Sequence, residues 1–167
     1  MATLSTQIDV LFNDDNALSE FNEVKIKQLQ KRAIHLKNLC SKLAEYKIPQ
    51  TLIHGDLHLG NIAFYNNNYI IYDWTDSCIS HPFFDMCKLF FSDKKRLFLS
   101  PYEYLSQWTA YEPKSRLLEA WKLTKPLCAL HYAITYQYII ASLEPRAKQE
   151  FEGCIPNFMR QLLQWKI

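Results

Sequence analysis

A chain of 167 residues, 49% of them hydrophobic and 14% aromatic, is long enough for one domain with a packed core. Its 19 basic and 17 acidic side chains leave a formal charge of +2, and no basic tract interleaved with aromatics occurs, which argues against a general affinity for nucleic acid or a membrane surface. Five cysteines (Cys40, Cys78, Cys87, Cys128 and Cys154) are odd in number and form no C-x-x-C pair, so neither a disulfide framework nor a zinc site is indicated and a reducing, cytoplasmic setting is expected.

In chain order, Met1 to Ser5 lack the basic region and apolar core of a signal peptide. Leu4 to Phe12 reads as a short helix, punctuated by Asn13-Asp14-Asp15-Asn16. From Ser19 to Tyr46, apolar residues recur three and four apart (Ile26, Leu29, Ala33, Leu36, Cys40, Leu43) with lysines between them. That periodicity predicts an amphipathic helix lying on a core, capped by Ser19 or Asn22 and stopped by Pro49. Its lysines are a solvated face. After the central stretch, Pro82 is expected to start a helix through Phe91, Asp93 to Arg96 a surface turn, and Pro101 and Pro113 two further helices, to Tyr111 and Leu123. Leu127 to Leu143 is the most apolar segment, but it holds His131, Thr135 and Gln137 and falls short of the roughly 20 residues of a membrane span. A buried helix is the reading there, followed by a last one from Ile155 to Trp165.

The chemistry lies between these helical regions, in Ile53-His54-Gly55-Asp56-Leu57-His58-Leu59-Gly60-Asn61 and in Tyr72-Asp73-Trp74. Asn61 to Tyr65 and Tyr69 to Trp74, joined by Asn66-Asn67-Asn68, read as a hairpin, because asparagine tolerates the left-handed backbone of tight turns. Folding it back brings Asp73 near Asn61. Magnesium prefers hard oxygen ligands, usually one or two carboxylates with phosphate oxygens and water, and Asp73 and the amide oxygen of Asn61 suit it. Asp56 would remain free to accept a hydrogen bond from a hydroxyl undergoing phosphorylation.

His54-x-Asp56-Leu57-x-x-x-Asn61, with Asp73 downstream and then His81-Pro82-Phe83-Phe84-Asp85, resembles the aminoglycoside phosphotransferase and choline kinase-like group from about Thr51 to Leu89. The resemblance implies an α+β, mostly α fold: the large, helical C-terminal lobe of a protein-kinase-like architecture, with a small β-hairpin at the catalytic loop and residues 1–167 forming one domain. It implies an O-phosphotransferase moving a phosphoryl group from ATP or GTP with Mg2+ to a small-molecule hydroxyl, with Asp56 as base and Asn61 and Asp73 as metal ligands. His54, His58 and Asp85 are supporting residues. His54 is expected to pack under the loop and bond a backbone carbonyl; His58 stands where protein kinases carry a lysine. Asp85 resembles the aspartate that holds the loop backbone, although by sequence alone it reads as a carboxylate at a helix N-terminus. Asp76 reads as a turn residue.

Only Gly55, Gly60 and Gly153 are glycines, and residues 20 to 47 read as helix, so the Gly-rich phosphate cover and strand lysine of that family are expected to be absent from these residues. On that expectation the isolated chain is inactive or weakly active and exposes a lobe interface that favours association. Two other readings stand beside the phosphotransferase. One is a catalytically silent pseudokinase-like interaction module. The other takes His54-x-Asp56-x-His58 as a metal cluster on one strand face, completed by Asp73 or His81.

Overall fold

The computed structural model describes residues 2–90 and 100–165, the side chains of residues 2, 3 and 90 excepted. Phe91 and the expected turn at Asp93 to Arg96 lie outside the described residues. The chain is mostly helical with a few short antiparallel strands, an α+β composition. In order it forms α1 (Ala2–Phe12), α2 (Asp15–Leu18), α3 (Glu23–Ala44), β1 (Thr51–Ile53), β2 (Ile62–Tyr65), β3 (Asn68–Ile71), β4 (Cys78–Ser80), α4 (Cys87–Phe90), α5 (Pro101–Ser106), α6 (Lys114–Ser142), α7 (Pro145–Lys148) and α8 (Cys154–Gln164). Among the described residues no helix is long and apolar enough to cross a membrane.

Two compact units divide the chain, one from residues 1–45 with 126–167 and one from residues 46–125. In the first, α1, α2 and α3 bury Ile8, Leu11, Phe12, Leu18, Leu29, Leu36 and Leu43, the last three continuing the periodicity of the lysine-rich helix. Asn22 caps α3 by accepting from the Lys25 amide at 3.0 Å, and Asp14 caps α2 in the same manner where the sequence suggested only a turn. Leu127, Leu130, Ala133, Ile155, Met159 and Leu162 supply the remaining core. Arg32 donates to the carbonyls of Leu163 and Trp165 at 3.0 and 2.6 Å, so a cation from α3 satisfies orphan acceptors at the end of α8. Tyr132 and Tyr136 stack on Phe158.

The second unit is built on Phe83, fully buried, whose ring meets Tyr104, Trp108 and Trp121 edge-on at 5.8–6.1 Å. The Tyr104 hydroxyl donates to the Pro82 carbonyl at 3.0 Å. Glu112, buried, accepts from the Lys47 amide at 2.8 Å and from Arg116 at 2.7 Å, and the guanidinium holds its carboxyl below the usual range. These bonds join the start of α6 to the segment entering β1.

Three expectations about elements change, and one strand appears that was not expected. The segment after Pro82 is a single 3-10 turn, Pro82–Phe84, followed by the separate α4 rather than one continuous helix. The helix from Pro101 ends at Ser106, five residues before the expected Tyr111, and the chain continues in turns. The helices expected from Pro113 and Leu127 are one helix, α6, with Pro126 inside it. Proline removes one backbone donor and disfavours the helix locally, but apolar residues follow it closely (Leu127, Cys128, Ala129, Leu130), and their burial outweighs one lost bond. Finally, Cys78–Ser80 is a strand, β4, paired antiparallel with β1 in the register Thr51↔Ser80, Leu52↔Ile79, Ile53↔Cys78.

Candidate active site

The β1–β4 pair brings the residue after Ile53 beside the segment that precedes Cys78. At this junction the chain turns through Gly55, with φ +84°, and a Cβ there would lie 2.1 Å from the Asp76 carbonyl oxygen. Only glycine fits both the backbone conformation and the approach. The buried amides of His54 and Gly55 donate to the two carboxylate oxygens of Asp85 at 2.8 and 2.9 Å. Burial pushes the Asp85 carboxyl up, and the two amides oppose that shift by favouring its charged form. Asp85 therefore holds backbone groups of the loop, as the resemblance implied, and does not serve as a helix-terminal carboxylate, the reading of its sequence position alone.

His54 is buried, with both ring nitrogens engaged. Nδ1 accepts from the Asp56 amide at 3.2 Å, so the proton resides on Nε2, which donates to the Tyr72 carbonyl at 2.8 Å. Its ring lies 4.8 Å from that of Trp74. With no lone pair available, His54 cannot ligate a metal, which removes the His54-x-Asp56-x-His58 cluster reading; among the described residues no group of three or more His, Cys, Asp or Glu is arranged to hold an ion.

Asn61 is buried at the end of a 3-10 turn, Leu59–Asn61, and not in the strand expected to begin there. Its Nδ2 donates to the Asp56 carbonyl at 3.1 Å, which fixes the amide orientation and leaves Oδ1 as its remaining acceptor. The strands β2 and β3 pair as Ile62↔Ile71 through Tyr65↔Asn68, closed by Asn66 and Asn67 with φ of 47° and 62°. Asn68 is thus a strand residue, and the turn has two residues of the kind that favours positive φ. The Tyr72 amide donates to the Asn61 carbonyl at 3.1 Å, so pairing runs one step beyond the strands and Asp73 follows directly. Asp73 is left-handed (φ 63°, ψ 60°) and exposed, with Oδ1 accepting from the Thr75 hydroxyl at 2.8 Å. A non-glycine residue held there costs on the order of 1 kcal/mol, a local strain that points to a role for its side-chain direction.

The structure therefore joins Asp56, Asn61 and Asp73 through two residues. Asn61 binds the Asp56 backbone, and Tyr72 binds both Asn61 and His54 while preceding Asp73. The Tyr72 hydroxyl also bonds the Gly60 carbonyl. The Asp56 carboxylate is a quarter exposed. Its Oδ2 lies 3.5 Å from Nε2 of His58, whose Nδ1 accepts from the Gly60 amide at 2.9 Å. Its Oδ1 is paired with Lys88 of α4. Sequence reasoning missed Lys88 and the part played by Tyr72. No local pattern marks Lys88, which reaches the Asp56 carboxylate across thirty-two residues.

On comparison with known proteins, the phosphotransferase enzyme family matches residues 6–121, well over half of the chain and beyond the stretch that carries the motif. No curated protein and no solved structure matches it.

Proposed function

Because the chain belongs to the phosphotransferase enzyme family, we propose that its residues 46–125 carry the catalytic loop of a kinase-like lobe that transfers the terminal phosphoryl group of ATP or GTP to a hydroxyl of a small molecule. One observation supports this reading above others: Asp56, Asn61 and Asp73 are tied to one hairpin end by bonds of the backbone and of the Asn61 amide nitrogen, none of which uses a carboxylate oxygen of Asp56 or Asp73. The acceptor hydroxyl would hydrogen-bond to Asp56, which orients it and takes its proton as the hydroxyl oxygen bonds to phosphorus and the bond to the departing diphosphate breaks. The rest of the loop serves rigidity. Asp85 clamps the backbone before Asp56, His54 binds the Asp56 amide, and Asn61 binds its carbonyl, so the carboxylate is aimed before substrate arrives.

The donor set fits magnesium. Asn61 offers an amide oxygen because its nitrogen is committed elsewhere, and Asp73 offers an exposed carboxylate; both are hard oxygen ligands with no sulfur or imidazole among them. When bound, the ion would neutralise charge on the nucleotide phosphates. The hairpin beyond the site exposes Phe64, Tyr65, Tyr69, Ile70 and Ile71, a surface suited to contact with a covering lobe or another protein.

The test is nucleotide binding to the whole chain by calorimetry, with and without magnesium. Magnesium-dependent binding that is lost in Asp73→Ala and kept in Asp56→Asn supports the assignment. Binding that ignores both the ion and Asp73→Ala overturns it, and so does the absence of nucleotide binding, in which case a fold-retaining interaction module takes its place.

A further inference from the structure

The site contains a cation that the motif does not supply. Among the described residues Asp56 has two neighbours on its carboxylate, His58 and Lys88. The His58 ring lies 3.5 Å away and is tied back to its own loop, Nδ1 accepting from the Gly60 amide. Lys88 makes the closer contact and brings an ammonium to the carboxylate. It sits in α4, one turn after Asp85, and the Asp85 carboxylate is fastened to the His54 and Gly55 amides. One short segment thus secures the loop backbone at one residue and reaches the Asp56 side chain at another.

We propose that Lys88 is a phosphate-binding residue, which neutralises Asp56 in the free protein and turns its ammonium to the transferred phosphoryl group when a nucleotide is present. This rests on the phosphotransferase reading of the same site. In that reaction the phosphorus becomes bonded to the very oxygen that Asp56 orients, so a group touching the Asp56 carboxylate lies within a few bond lengths of the phosphoryl oxygens. The ammonium is a compact charge on a flexible four-carbon stem, with three donors, and needs only a small swing to move from a carboxylate to a neighbouring phosphate. Both side chains of the pair are a quarter exposed, so an anion can reach them from solvent. Charge developing on a phosphoryl group is what such sites are built to stabilise, and Lys88 supplies an ammonium for it.

The experiment measures binding of inorganic tripolyphosphate, without metal, to the whole chain by calorimetry. Lys88→Met should weaken binding about tenfold, a charge-assisted bond discounted for partial exposure, while Lys88→Arg keeps it within a factor of about three. Asp56→Asn removes the competing carboxylate and should strengthen binding several-fold, and the double variant with Lys88→Met should lose that gain. Equal affinity in wild type and Lys88→Met, or a gain that persists in the double variant, overturns the proposal. If Lys88→Met fails to fold by circular dichroism, Lys88→Gln and the Asp56→Asn comparison with Lys88→Arg carry the same test. Magnesium-dependent nucleotide binding that is sensitive to Asp73→Ala but indifferent to Lys88→Met defeats the Lys88 assignment alone. Wild type binding neither tripolyphosphate nor magnesium nucleotide defeats the phosphotransferase reading together with it.

Discussion

The three glycines differ in what surrounds them, and replacing each by alanine should separate three physical costs. At Gly55 an added methyl group would meet backbone, the Asp76 carbonyl oxygen at 2.1 Å and its carbon at 2.8 Å, and the residue also sits at φ +84°. The left-handed conformation costs an alanine about 1–2 kcal/mol. Relieving the overlap requires moving the peptide that leads into β4, an overpacking strain of roughly 1–3 kcal/mol. Gly55→Ala should therefore lose about 2–5 kcal/mol. Gly153, at φ +79° with nothing within 4 Å of the added methyl, bears the conformational cost alone, about 1 kcal/mol. At Gly60 the methyl would meet only the His58 ring, at 2.7 and 2.8 Å, and that side chain can rotate away, so the loss should be under about 1 kcal/mol. Urea denaturation followed by circular dichroism gives the order, provided the slopes of the transitions agree among variants. A Gly55→Ala protein no less stable than Gly153→Ala would refute the claim that the loop and the Asp76 peptide are in van der Waals contact.

Two further outcomes follow from buried polar groups. Asp85→Ala leaves the His54 and Gly55 amides without acceptors and should cost about 2–4 kcal/mol, with loss of hydrogen-exchange protection at those two amides; Asp85→Asn, which keeps one acceptor oxygen, should cost about half as much. Retained protection in Asp85→Ala would show that other groups hold the loop. Burial lowers the His81 imidazole from its ordinary 6.5 to about 4. The unfolded chain then takes up a proton that the folded one refuses, so the contribution of His81 is fully present above pH 6.5 and is lost as pH falls from there toward 4, by up to roughly 3 kcal/mol. His81→Asn can still accept from the Phe83 amide without titrating, and its stability should fall less between pH 7 and 4.5. Identical pH dependence in the two proteins would contradict the burial of that ring.

What could be read from the sequence follows the range of the forces involved. The register of α3 is visible in spacing because helix burial repeats every three to four residues, and Leu29, Leu36, Cys40 and Leu43 are indeed inside. The asparagine turn is visible because positive φ is a property of single residues, and Asn66 and Asn67 adopt it. By contrast, Cys78-Ile79-Ser80 shows no pattern of its own, and it becomes a strand through pairing with residues far back in the chain. Pro126 misleads for a related reason, since a local rule predicts a break where tertiary burial keeps the helix going.

The same distinction governs the site. Asp56, Asn61 and Asp73 could be named from spacing because a loop followed by a hairpin has few ways to aim its side chains. What steadies them does not show in spacing: Asp85, whose role only the family resemblance suggested, reaches back thirty residues to the Gly55 amide, and Lys88 reaches thirty-two to the Asp56 carboxylate. Tyr72 is legible as part of a motif yet acts mainly through its amide and carbonyl, groups that every residue possesses and no side-chain pattern records. Aim is therefore encoded locally and stiffness at a distance, and Lys88 shares the distance without the stiffness: its charge, contributed by another element on a flexible stem, meets the Asp56 carboxylate from thirty-two residues away.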